Sequence, residues 1–326
     1  MAELTMVEAI NQALREAMED DESVMVLGED VGVDGGIFRA TQGLIEAFGE
    51  ERVVDTPLAE SGILGFSIGL ALNGMKPVPE MQFSGFSYLG FHQLESHASR
   101  MRWRTQGRFG VPMVVRMPYG AGVRALEHHS ESREVFYAHM PGLKIVVPST
   151  PSNARALLHA AIADPDPVVF FEPKASYRAF REEVPDAVEE LAIGRARTAR
   201  QGDDLTIVAF GAMLPVALEA AETLSGEDGH EADVIDLLSL SPLDHEAVTR
   251  SVARTGRCVV VHEAPMSYGP AGEICARINE HVFLSLEAPV ARVTGPDVHV
   301  PFFAREQRFL PDAARVLAAC RQTLAF

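Results

Sequence analysis

Leu143-Lys-Ile-Val-Val-Pro148, Thr150-Pro-Ser-Asn-Ala-Arg-Ala-Leu-Leu-His-Ala-Ala-Ile-Ala163 and Pro167-Val-Val-Phe-Phe-Glu172 follow one another with little between them. The outer two are short, β-branched, apolar runs and read as strands. The middle one reads as a helix: Thr150 offers a capping oxygen and Pro151 suits the first turn. Its Ala154, Leu157, Leu158, Ala161 and Ile162 fall at i, i+3, i+4, i+7 and i+8, on one face. Val168–Phe171 is continuously apolar and does not alternate, which suits a parallel sheet covered on both sides. The fold class is α/β.

The same alternation extends outward. Strands are expected at Val24–Leu27, Arg52–Asp55, Pro77–Phe83 and Pro112–Met117. Near residue 180 the pattern breaks: Arg181-Glu-Glu-Val-Pro-Asp-Ala-Val-Glu-Glu190 is charged, holds a proline and has no apolar period, so it reads as a linker. A second series follows, with strands at Leu205–Phe210, Ala232–Leu237, Arg257–His262 and Val290–Thr294 and a last helix at Pro311–Leu324. Two α/β domains are expected, over residues 1–180 and 195–326, joined by a linker at 181–194.

With 326 residues and 47% hydrophobic residues, the chain can bury two sizeable cores. Its net charge of −18 argues against nucleic acid, whose phosphates need a basic face, and favours a partner carrying a basic patch. Cys258, Cys275 and Cys320 make no Cys-x-x-Cys pair and read as small apolar residues in a reducing compartment. No run of eighteen apolar residues predicts a membrane span. Thr5-Met-Val-Glu8 reads as a capping box in place of a signal peptide, so a cytoplasmic protein is expected.

Several motifs compete. Gly65-Phe-Ser67-Ile-Gly69 has the form of a hydrolase nucleophile elbow, but Ser61–Leu72 reads as one apolar helix instead of a strand and sharp turn. Gly62, Gly65 and Gly69 would let that helix approach a neighbour closely. Gly120-Ala-Gly122-Val-Arg-Ala125 imitates a dinucleotide fingerprint, yet the polar Glu127-His-His-Ser-Glu-Ser132 behind it is a poor packing helix. His128 and His129 are adjacent and so unsuited to zinc, although His129 falls in a loop after a strand, where α/β folds place function. Glu60 opens the glycine-rich helix. It can serve the helix dipole there, or exchange a proton, since apolar Leu58, Ile63 and Leu64 nearby would raise a carboxyl pKa.

Eight segments occur in order: Gly28-Glu-Asp-Val-Gly32, Gly36-Ile-Phe-Arg39, Asp55-Thr-Pro-Leu-Ala-Glu60, Pro79-Glu-Met-Gln-Phe83, His129-Ser-Glu131, His139-Met-Pro-Gly-Leu-Lys144, Asp164-Pro-Asp-Pro-Val-Val-Phe-Phe-Glu-Pro-Lys174 and Val293-Thr-Gly-Pro-Asp297. Together they closely resemble the beta subunits of the thiamine-diphosphate-dependent 2-oxo acid dehydrogenases, of the pyruvate or branched-chain type. The resemblance implies a transketolase-like pyrimidine-binding domain followed by a transketolase C-terminal domain. It also implies oxidative decarboxylation of a 2-oxo acid with reductive acylation of a lipoyl group. An acetoin dehydrogenase beta subunit is the alternative within the family, and a serine hydrolase using Ser67 the alternative outside it.

The resemblance gives residues specific roles. The glutamate matching Glu60 hydrogen-bonds the aminopyrimidine ring nitrogen of thiamine diphosphate and promotes loss of the C2 proton. Leu58, Gln82 and Phe86 match positions lining the pyrimidine, with Phe86 standing where many relatives have tyrosine. His129 matches a histidine facing the acyl group and the incoming lipoyl group, and Glu131 beside it is expected to alter its pKa. A potassium site in the family corresponds to Val111, Met113, Val114, Ala161, Asp164 and Asp166. The diphosphate and magnesium need a Gly-Asp-Gly segment followed by asparagine, and Gly226-Glu-Asp-Gly229 has the wrong order. An alpha subunit is therefore expected to hold magnesium and share the cofactor, in a heterotetramer of two alpha and two beta subunits. A lipoyl acyltransferase core, through its basic subunit-binding module, is the next expected partner.

Overall fold

The structure is a computed structural model and describes residues 2–326. Its first sheet has seven strands in the order Ser239–Ser241, Lys144–Val146, Val168–Pro173, Val114–Tyr119, Lys76–Glu80, Val24–Gly28 and Val53–Asp55. All neighbours run parallel except the first pair. A second, five-stranded sheet runs Ala291–Gly295, Cys258–Pro265, Leu205–Ala209, Ala232–Asp236 and Arg197–Arg200, and only the last pair is antiparallel. The fold is α/β, with two mainly parallel sheets flanked by helices.

The helix Pro151–Ala163 forms as its sequence dictates. The Thr150 side chain accepts the Asn153 N–H at 3.3 Å, and Ala154, Leu157, Leu158, Ala161 and Ile162 are all buried. Each fully buried leucine contributes roughly 2 kcal/mol of transfer free energy. Thr5 and Glu8 form the capping box that opens the helix Met6–Asp20, with the Thr5 N–H donating to Glu8 at 2.7 Å. Beneath the first sheet's centre, fully buried Arg116 donates to Glu80 at 2.6 Å and to Glu172 at 2.7 Å. Tyr177 donates its hydroxyl to Glu172 as well. These bonds tie three strands or their ends together, and removing Arg116 would strand two buried carboxylates.

Two arrangements depart from the linear reading. Residues 181–194, expected as a linker, include the strand Glu182–Val184, which pairs antiparallel with Ala2–Leu4. Ser239–Ser241, from the second half of the chain, adds an edge strand to the first sheet, pairing with Lys144–Val146. The two units are thereby stitched by backbone hydrogen bonding. Ser149 adds to the seam: its hydroxyl donates to Asp236 at 2.6 Å and accepts the Gly211 N–H at 2.9 Å.

Candidate active site

The carboxyl ends of the parallel strands converge on one edge, where α/β sheets place their ligands. Val24–Gly28 delivers Glu29 and Asp30, Lys76–Glu80 delivers Gln82 and Phe83, Val114–Tyr119 delivers the loop bearing His129, and Val168–Pro173 delivers Lys174. From Val53–Asp55 the chain passes directly into the helix Glu60–Leu72.

Glu60 is the first residue of that helix and only 5% exposed, yet among the described residues its Oε2 meets no hydrogen-bond partner. A buried carboxylate oxygen without a donor is costly, and the described residues offer this atom none. Glu29 lies nearby, buried, with its Oε1 also lacking a partner. Burial first, then the charges of Glu60 and Asp30, push the Glu29 carboxyl above the usual range. Gln82 donates to Asp30 at 2.8 Å, and Asp55 accepts the Gly32 and Val33 N–H groups at 2.6 and 3.1 Å. These bonds fix the Gly28–Gly32 turn along one side of the edge.

Aromatic rings form the opposite wall. Phe83 stands edge-on to Phe86 at 5.5 Å between centroids, and His129 meets Phe83 at 4.5 Å and Phe86 at 5.0 Å. His128 tilts against Phe86 at 5.2 Å. Gly85 makes this closeness possible, because a Cβ there would lie 2.0 Å from the His128 carbonyl oxygen. Burial, then the charges of His128 and Lys174, lower the His129 pKa, and its Nδ1 is buried without a partner. The result is an imidazole biased toward its neutral form. Lys174, buried, points its ammonium at the Phe83 ring from 5.6 Å and donates to the Gly120 carbonyl.

The expected residues are thus unequally placed. Glu60, Gln82, Phe86 and His129 share the edge, whereas Leu58 is 81% exposed on its rim. Glu131, expected to act on His129, turns away and pairs with Arg133 at 2.5 Å; it is not among the charges that shift the imidazole. Ser67 is removed as a nucleophile: it is fully buried in mid-helix and its hydroxyl donates to the Ile63 carbonyl at 2.8 Å. Val111, Met113, Val114 and Ala161 are buried near Asp164 and Asp166. However, the Asp164 carboxylate is held by Lys144 at 2.6 Å and that of Asp166 by Arg102 at 2.5 Å. The Met113 carbonyl already accepts the Val168 N–H. With its two carboxylates and one carbonyl already engaged, this donor set fits a bound potassium ion poorly. Glu29, Phe83 and Lys174 carry no individual signal in the sequence. Each nonetheless lies inside or at the end of a quoted segment, at or just beyond the carboxyl end of an expected strand.

The chain matches the transketolase pyrimidine-binding domain over residues 2–179 and the transketolase C-terminal domain over residues 194–316. It is 50% identical over 322 residues to the pyruvate dehydrogenase E1 component subunit beta of Acholeplasma laidlawii, covering 99% of this chain and 98% of that one. The corresponding subunit of Bacillus subtilis is 48% identical, with both chains covered completely. The 3-methyl-2-oxobutanoate dehydrogenase subunit beta of Mycobacterium tuberculosis is 49% identical, covering 98% of this chain and 92% of that one. Among solved structures, a split-gene transketolase described as an inactive beta4 tetramer superposes with a TM-score of 0.79, covering 99% of each chain at 23% identity, a likeness of fold.

Proposed function

Because the chain belongs to the family of pyruvate and branched-chain 2-oxo acid dehydrogenase beta subunits, we propose that it supplies the pyrimidine side of a shared thiamine-diphosphate site. The observation that carries this reading is the partnerless, buried Oε2 of Glu60 at the edge bearing the aromatic wall. An aminopyrimidine suits such a place, offering a ring nitrogen to a carboxyl group and a flat face to Phe86. Bound thiamine diphosphate supplies the electron sink that decarboxylation of a 2-oxo acid requires.

This chain's own residues do the rest. Glu60 shares a proton with the pyrimidine ring nitrogen, while Gln82, held by Asp30, keeps the Gly28–Gly32 turn in place. Phe83 and Phe86 exclude water, which strengthens that proton's interactions. His129, neutral and pressed against both rings, would hold a proton for the thiolate released as the lipoyl disulfide opens, its other sulfur taking the acyl group and the disulfide accepting the two electrons. An alpha subunit supplies the diphosphate and magnesium contacts, and a lipoyl acyltransferase core receives the acyl group.

The test compares the chain alone with the chain co-expressed with an alpha-type partner, on pyruvate, 3-methyl-2-oxobutanoate and acetoin. The pair should bind thiamine diphosphate and decarboxylate a 2-oxo acid, and the lone chain should turn over none. Turnover by the lone chain, or failure of the pair to bind thiamine diphosphate, overturns the reading.

A further inference from the structure

The loop that carries His129 has a closed base. The Gly120 N–H donates to the Glu131 carbonyl at 3.1 Å, so the two ends of the segment 120–131 meet. Ser84 ties the same carbonyl to the aromatic wall at 2.9 Å. Whatever holds the base therefore sets where the histidine stands.

What holds it comes from the other unit. Glu263, on the strand Cys258–Pro265, accepts the Ala121 N–H at 2.9 Å. Glu306, which opens the short helix Glu306–Phe309, accepts the Gly122 N–H at 2.8 Å. Both glutamates are buried, and buried Lys174, which feels the charge of both, donates to the Gly120 carbonyl. Carboxylates bonded to peptide N–H groups away from water make strong, directional bonds. The approach depends on glycine. Gly120 and Gly122 have φ of +85° and +100°, in the region that disfavours side chains. A Cβ on Gly120 would also stand 2.5 Å from the Glu263 carboxylate, and one on Gly122 would stand 2.9 Å from Ala175. The Gly-Ala-Gly pattern that imitates a dinucleotide fingerprint is the seat of two carboxylates instead.

We propose that Glu263 and Glu306 are positioning residues, a latch by which the C-terminal unit fixes the base of the His129 loop. The latch thereby serves acyl transfer without either residue touching the acyl group. This rests on the role given to His129 above.

The experiment uses the complex with its alpha-type partner and the variants Glu306→Ala, Glu306→Gln, Glu263→Gln and His129→Ala. Amide hydrogen exchange and the two half-reactions are followed together. In Glu306→Ala, exchange over residues 120–131 should quicken at least about tenfold while Val168–Pro173 is unchanged. Lipoyl acylation should fall about a hundredfold with decarboxylation to an artificial acceptor kept within about twofold, the effect of a displaced group. Glutamine retains an acceptor oxygen, so Glu306→Gln and Glu263→Gln should keep the slow exchange and most of the acylation. Unchanged loop exchange in Glu306→Ala overturns the latch, as does a loss spread over every strand and both half-reactions. Should His129→Ala keep full acylation, the reading of His129 fails, and loop exchange in Glu306→Ala alone then upholds or overturns the latch.

Discussion

The imidazole of His129 stands edge-on to the ring of Phe83, with centroids 4.5 Å apart and planes at 75°. Phe83 in turn lies beneath the ammonium of Lys174. One ring therefore touches both the histidine and the buried cation whose charge helps lower the histidine's pKa. Burial first, then the charges of His128 and Lys174, lower the imidazole's pKa, while Glu131 pairs with Arg133 and takes no part in the shift.

His129→Ala should separate the two half-reactions. A proton held at the acyl group matters only after decarboxylation, so oxidation of the 2-oxo acid with an artificial electron acceptor should be largely retained. Reductive acylation of a lipoyl group should fall by about a hundredfold or more, the usual cost of a missing acid–base group. If His129 instead supports the site as a whole, both rates drop together. Measuring both on one assembled preparation decides, and equal losses defeat the assignment.

Glu60→Gln keeps side-chain volume and hydrogen-bonding reach but cannot exchange a proton with a ring nitrogen. Hydrogen–deuterium exchange at C2 of the cofactor should slow by about two to four orders of magnitude. Since Oε2 makes no hydrogen bond among the described residues, folding should be nearly unaffected. A melting temperature equal to that of the parent together with parent-like C2 exchange would remove Glu60 from the reaction.

The order of elements was legible wherever local signals agreed. In Thr150–Ala163 the cap, the proline and the apolar period all point one way, and the helix forms within a residue of its expected bounds. Ser239–Ser241 was not legible: three residues carry no period, and the partner at Ile145 lies 94 positions away. The site shows the same contrast. Glu60 has a local context that already suggests proton exchange, and a family pattern around it. Glu263 and Glu306 have neither, because their partners Ala121 and Gly122 are 142 and 184 residues distant. Backbone donors leave no trace in side-chain composition, so such contacts are seen only once the chain is folded.

Gly85→Ala should damage the aromatic wall directly. The new methyl would meet the His128 carbonyl oxygen at 2.0 Å, and that oxygen belongs to the turn Glu127–His129. Backbone must move, since no side chain can give way. Denaturant unfolding should report a loss of about 1–3 kcal/mol, as for other overpacked sites. Acylation should drop further than that stability change explains, because the displaced turn carries His129. A variant with parent-like acylation would show that the turn tolerates displacement and that the position of His129 is not critical.

Glu134→Gln should change how stability depends on pH. Glu134 is fully buried, and among the described residues no other side chain or backbone group is a hydrogen-bond partner of its carboxylate. Burial chiefly, with Glu263 adding to it, pushes its pKa up to about 8 from the ordinary 4.5. Between those values the folded protein holds a proton that the unfolded chain has released. Its contribution is therefore complete below pH 4.5 and is lost progressively as pH rises through 8. At about 1.4 kcal/mol per pKa unit, the whole span amounts to at most about 5 kcal/mol. Glutamine fits the same space and stays neutral throughout, so it removes that slope. Glu263, raised to about 7, titrates in the same interval, which leaves the variant's curve shallower but not flat. Urea unfolding at pH 5, 6.5 and 8 should show the two proteins closest at pH 5 and the variant ahead at pH 8. Parallel curves across that range would mean that Glu134 is already ionised in the fold.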